Sequence, residues 1–189
     1  VEIMIALATG LSLAAASGLN AYIPLLGIGL FARFGLIDLV APFDLLSHGL
    51  VLTILAILAI VDFVGDKLPA IDSGFHAVGL IISPIAGAIV TLSSQGELAT
   101  IHPALITIAG LIVALSTHSA RSTMRPVITA ATAGSANPIV SIIEDIVALT
   151  LTILAMLMPL LALTLALVAA FIAFRVFRRA RRIWQIRSQ

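Results

Sequence analysis

The chain has 189 residues, 61% of them hydrophobic and 10% charged, with a formal net charge of +1 and a mean hydropathy of +1.22. A soluble domain is nearer half apolar and a quarter charged, so a soluble globular enzyme and a disordered chain are both excluded. Cysteine is absent, which removes disulfides, thiol nucleophiles and cysteine-ligated metal sites. What remains is an all-α, polytopic helical membrane protein.

The first predicted element covers residues 3–34. As one straight helix it would measure about 48 Å at a rise of about 1.5 Å per residue, against a hydrocarbon thickness of about 30 Å. Ser17-Gly18-Leu19-Asn20 interrupts it, and Pro24 follows. Two readings stay open: a single kinked span, or a re-entrant pair of half-helices meeting at Asn20. Irregular backbone at membrane depth needs protein or a wet cavity to satisfy it. No cleavable signal peptide is expected, because Glu2 stands where a basic segment would and no A-x-A site follows.

Further apolar runs cover residues 50–64, 77–92, 104–115, 139–158 and 160–174. They lack the strict alternation of a barrel wall and read as helices. Met158 and Pro159 form a tight turn between the last two. With residues 3–34 as one span the total is six, and both termini share a side. Residues 1–174 then form one transmembrane domain and residues 175–189 a basic tail. Six of the ten basic residues lie after Phe174, and Trp184 sits among them. That tail reads as a cytoplasmic helix end at anionic headgroups, with the inner membrane as the location. Lys67, Arg121 and Arg125 fall on the same side, leaving Arg33 alone opposite. One basic end with one aromatic gives no expectation of nucleic-acid binding.

The informative residues are the ionisable ones within or beside these runs, since each costs about 2.5–3.5 kcal/mol at a helix centre. Asp62 and Asp66 are four apart and share a helical face; Lys67, Pro69, Asp72 and His76 follow. Asp62, Asp66, Asp72 and His76 are candidates to bind a divalent cation or relay a proton. The plainer reading is a turn in which Lys67 neutralises Asp66 and Asp72 caps the next helix. His118, Arg121 and Arg125 recur at i, i+3 and i+7, which puts three potential cations on one face. The stretch from Thr129 to Pro138, with Gly134 and Asn137, is polar enough to be a loop dipping into the membrane. Glu144 and Asp145 enter the next span with no nearby base, which points to a cross-helix pair with Arg121 or Arg125.

The halves also look alike. Thr9-Gly10-Leu11 leads to a polar break and Pro24, and Ala109-Gly110-Leu111 leads to Thr117–Ser119 and Pro126. Internal inverted repeats with broken helices are a transporter pattern. His48 and His102 sit at span edges. There is no G-x-S-x-G, H-E-x-x-H or Walker loop, so no enzyme is expected.

Three blocks in order carry a resemblance: Ser17-Gly18-Leu19-Asn20-Ala21-Tyr22-Ile23-Pro24, then Asp66-Lys67-Leu68-Pro69-x-x-Asp72, then His118 through Asn137-Pro138-x-x-Ser141-x-x-Glu144-Asp145. Together they resemble a domain-of-unknown-function family of small bacterial integral membrane proteins. That resemblance implies no activity. Gly65-Asp66-Lys67 is also similar to part of the repeat motif of manganese/calcium–proton exchangers, with Phe63 at the motif's Glu position and Leu68 at its hydroxyl position.

The functional expectation is a small secondary transporter or channel for an ion or small solute. Its pathway is lined by Asn20, Asp62, Asp66, His118, Arg121, Arg125, Asn137, Glu144 and Asp145. The acids would bind a cation or proton as substrate or coupling ion, with no resident cofactor. The alternatives are a carrier of an anionic lipid held by Arg121 and Arg125, and a structural membrane subunit whose charges lock the helices. The bilayer and a small solute or ion are the expected partners, and a homodimer is left open.

Overall fold

The computed structural model describes residues 1–66, 72–94 and 102–187. Among these residues there are seven α-helices and no strand: α1 (Glu2–Leu19), α2 (Tyr22–Arg33), α3 (Gly49–Gly65), α4 (Asp72–Ser93), α5 (Pro103–Thr132), α6 (Asn137–Leu157) and α7 (Pro159–Arg187). A short 3-10 turn, Phe43–Ser47, links α2 to α3. Glu2–Leu19, Pro103–Thr132 and Asn137–Leu157 are each long and apolar enough to cross a membrane. The runs expected from the sequence all appear, and Met158 is the turn between α6 and α7.

Side-chain pairings fix the helix directions. Gly10 of α1 lies against Thr91 of α4, and Gly18 lies against Ala114 and Thr117 of α5. Gly110 of α5 also meets Thr91, so α5 runs parallel to α1 and α4 runs against both. Thr129 meets Asn137 while Arg121 meets Glu144, so α6 returns antiparallel to α5 and hence to α1. Along α2, Asn20 bonds Asp145 and Gly27 abuts Thr152, so α2 follows α6 back beside α1. Residues 3–34 are therefore a helical hairpin with Asn20 at its tip, and the single kinked span is not formed. As a consequence Val1 and the end of α7 lie at opposite ends of the bundle, not on the same side.

The hairpin turns because both sides of the break are satisfied. Asn20 is extended, at φ −147° and ψ 117°, and its own N–H bonds Ala16 O. Its side-chain Oδ1 accepts from the N–H groups of Tyr22 and Ile23 at 3.1 and 3.2 Å, capping α2. Pro24 falls in the first turn of α2, where a missing N–H removes no helical bond.

Two expectations need correction. α5 does not stop after Leu115 but runs through Thr117, Pro126 and Thr129 to Thr132. The stretch expected as a membrane-dipping loop is thus mostly helix, closed by a four-residue turn with Ala133 at φ 50° and Gly134 at φ 82°. The likeness between the halves also stops at the break, since α5 has none and lies parallel to α1. An inverted relation between these two helices is not what the pairings give.

α1 is the centre of the bundle, packing against α2, α4, α5, α6 and α7. Leu13, Leu25, Ile28, Leu55, Val90, Ala155 and Ala162 form the core around it. Small residues permit the close approach. A Cβ at Gly18 would stand 2.6 Å from the Ala114 carbonyl oxygen, and one at Gly87 would stand 2.8 Å from Gly110 O. The outer faces of α3 to α7 expose Ile57, Ile81, Ile112, Ile146, Leu167 and Phe171, the surface a lipid-facing bundle presents. α7 continues without a break across residue 174, with Arg175 and Arg178 over the rings of Phe171 and Phe174.

Candidate functional site

The hairpin tip delivers Asn20 into a cluster of charge. Asn20 is 1% exposed, and its Nδ2 donates to Asp62 Oδ2 on α3 and to Asp145 Oδ1 on α6, both at 3.0 Å. One amide group therefore bridges two carboxylates from different helices. The spacing noticed in the sequence does its work here. Asp62 and Asp66 share a face of α3, so both turn inward at the level where α1 ends.

Asp66 is 3% exposed and is ion-paired with Arg121 Nη2. Burial overturns the reading of Asp66 as a surface turn residue, while Lys67 lies outside the described residues. Arg121 also donates from Nε to Glu144 Oε2 at 2.9 Å and from Nη1 to Leu19 O at 2.6 Å. That carbonyl belongs to the last turn of α1, where a helix carries unsatisfied acceptors and partial negative charge. Arg125, one helical turn further, donates from Nη2 to Glu144 Oε2 at 2.7 Å and lies 3.8 Å from Asp66. The expected cross-helix pairing of Glu144 with the two arginines is present in both members. Since Arg121 and Arg125 are buried, neither counts among the loop charges that set orientation.

Beside this cluster lies a cavity of about 420 Å³, lined by Ala21, Tyr22, Asp62, Asp66, Gly74, Val78, Gly79, Ile82, Ser83, His118 and Arg121. His118 is buried, with Nδ1 3.3 Å from Ser83 Oγ. Its ring occupies the space above Gly79, where any Cβ would collide with it. By rise per residue Asp145 is about 12 Å from one end of α6 and about 18 Å from the other, in the middle stretch of that helix.

Eight of the nine pathway residues read from the sequence are thus brought together. Asn137 is not among them. Its Nδ2 donates to Thr129 Oγ1 at 2.8 Å, tying the α5–α6 turn two helical turns away from Glu144. Asp72 begins α4, but its side chain and that of His76 lie outside the described residues. Among the described residues no three of His, Asp and Glu converge as a metal cage. Tyr22, Ser83, Gly74 and Gly79 were missed by sequence reasoning. Ser83 before Pro84 in an apolar span was the signal that could have found one of them.

The family model described as a domain of unknown function, DUF4126, matches residues 7–179. The chain belongs to this family. The matched stretch takes in the hairpin from residue 7 on, the ion-paired cluster and every cavity-lining residue. No curated protein and no solved structure matches the chain. The partial likeness to cation–proton exchangers rests on Gly65-Asp66-Lys67, whose acid is here held by Arg121.

Proposed function

We propose that the protein is a small secondary transporter or channel that moves an ion or small solute, with its buried acids carrying a cation or proton. The observation that carries this reading is the cavity lined by Asp62, Asp66, His118 and Arg121 at the tip of a broken helix. Ionisable groups within a span are costly, and binding sites at discontinuous helices are the usual reason to keep them. Carboxylates outnumber guanidiniums four to two in the described cluster, which favours a cation over an anion. No catalytic step, resident cofactor or nucleic acid enters the reading. The location is a bacterial inner membrane with the basic end of α7 in the cytoplasm. A homodimer is compatible with it.

The alternative carrier of an anionic lipid is less well supported, because Arg121 and Arg125 are already engaged by Asp66 and Glu144. A structural subunit would account for the ion pairs but has no need of the cavity. Proteoliposomes containing a pH-sensitive dye and challenged with mono- and divalent cations test the proposal. Asp62→Asn and Asp145→Asn should each lower the flux roughly tenfold, the effect of losing about 1.4 kcal/mol. Unchanged flux in both variants would remove the acids from the mechanism. No flux above empty vesicles would favour the structural subunit, and anionic lipid lost from preparations of Arg125→Gln would favour the carrier.

A further inference from the structure

We propose that the cavity takes a small organic cation, an ammonium group on an apolar body, in preference to a bare metal ion. This rests on the transport reading above and narrows its substrate class. The volume of about 420 Å³ lies within the range of about 300–1,000 Å³ that holds organic ligands. Its wall is divided. Val78 and Ile82 of α4 supply apolar surface, Tyr22 of α2 supplies an aromatic ring, and Asp62 of α3 supplies a carboxylate.

That combination suits a weakly hydrated, spread positive charge. An aromatic face attracts ammonium groups, and the apolar wall covers the substituents. A bare Ca²⁺ or Mg²⁺ needs six or so oxygen ligands to replace its water. Among the described residues no group of three His, Asp or Glu side chains is placed to begin such a shell. The wall's positive residue, Arg121, is turned toward Asp66, Glu144 and Leu19 O. Gly74 is an exposed member of the lining, and among the described residues nothing lies within 4 Å of a Cβ built there.

Uptake of radiolabelled tetraethylammonium into proteoliposomes of the full chain tests this, with Rb⁺ and Mn²⁺ as inorganic comparators. The probe is permanently charged and cannot cross lipid as a free base. Wild type should take it up saturably, and Asp62→Asn should lower uptake roughly tenfold. Gly74→Leu enlarges a residue of the lining that belongs to none of the ion pairs. It should depress tetraethylammonium uptake roughly tenfold more than it depresses Rb⁺ flux. If Asp62→Asn does not elute as a single species, Gly74→Leu still decides. Rb⁺ or Mn²⁺ flux without tetraethylammonium uptake would overturn the substrate class and leave transport standing. Equal losses of all probes in Gly74→Leu would also overturn it. Flux of no probe in wild type would overturn transport itself.

Discussion

Two polar stretches interrupt apolar helices in this protein, Ser17 to Asn20 and Thr117 to Arg125, and only the first breaks the chain. At the first, the groups released by the break find one distant partner and one local one. Leu19 O is taken by Arg121, and the amides of Tyr22 and Ile23 are taken by Asn20 Oδ1. At the second, the hydroxyls serve their own helix. Thr117 bonds Val113 O at 3.0 Å and Thr123 bonds Ser119 O at 2.9 Å. Polarity does not break a helix inside an apolar layer. A supply of replacement hydrogen bonds does.

Removing that supply should have the largest effect. Arg121→Met takes away the partner of Asp66, Glu144 and Leu19 O at once. Leaving buried carboxylates uncompensated is expected to cost about 3–5 kcal/mol. Thermal unfolding in detergent should show the loss, with α1 and α2 the first amides to exchange. Asn20→Ala removes two bonds to carboxylates and the cap of α2, a loss of about 2–4 kcal/mol. Hydrogen exchange confined to residues near the tip would identify the cap as its source.

Gly18→Ala tests the packing that holds the tip in place. Its Cβ would meet Ala114 O at 2.6 Å, and overpacking of this sort costs about 1–3 kcal/mol. Thr117→Gly removes the Cβ that also stands against that position and should recover part of the lowered midpoint, whereas Thr117→Ser, which keeps it, should not. At the bottom of the scale, Thr123→Ala removes only an exposed back-bond in α5 and should shift stability by less than about 0.5 kcal/mol. A large loss there would mean that the unbroken stretch also depends on its hydroxyls.

The same contrast explains what was legible in the sequence. Span positions were, because apolar runs of the right length have few other uses. The pairing of Glu144 with Arg121 and Arg125 was legible too, since acids buried without a local base require a distant one. The hairpin turn was not, because its deciding partner, Arg121, lies 102 residues away from Leu19. The full length of α5 was under-read for the complementary reason: residues that face inward on a helix look, in one dimension, like its end. The partner of Asp66 was not legible, because its neighbour Lys67 offered a local explanation while the arginine that holds it belongs to another helix.

The central position of α1 has a consequence for biosynthesis. It precedes α4, α5, α6 and α7 in the chain, so it emerges before the helices that later enclose it. Until they arrive, its buried face must reside in lipid or in the insertion machinery. Thr9, Ser12 and Ser17 lie on that face, and each hydroxyl is bonded to its own helix, to Ile5 O, Ala8 O and Leu13 O. Those bonds need no other part of the chain. A newly made α1 is therefore equipped to wait in hydrocarbon without orphaned hydroxyl donors, and it is its C-terminal end, Leu19 O and the capping Asn20, that depends on what is synthesised afterwards.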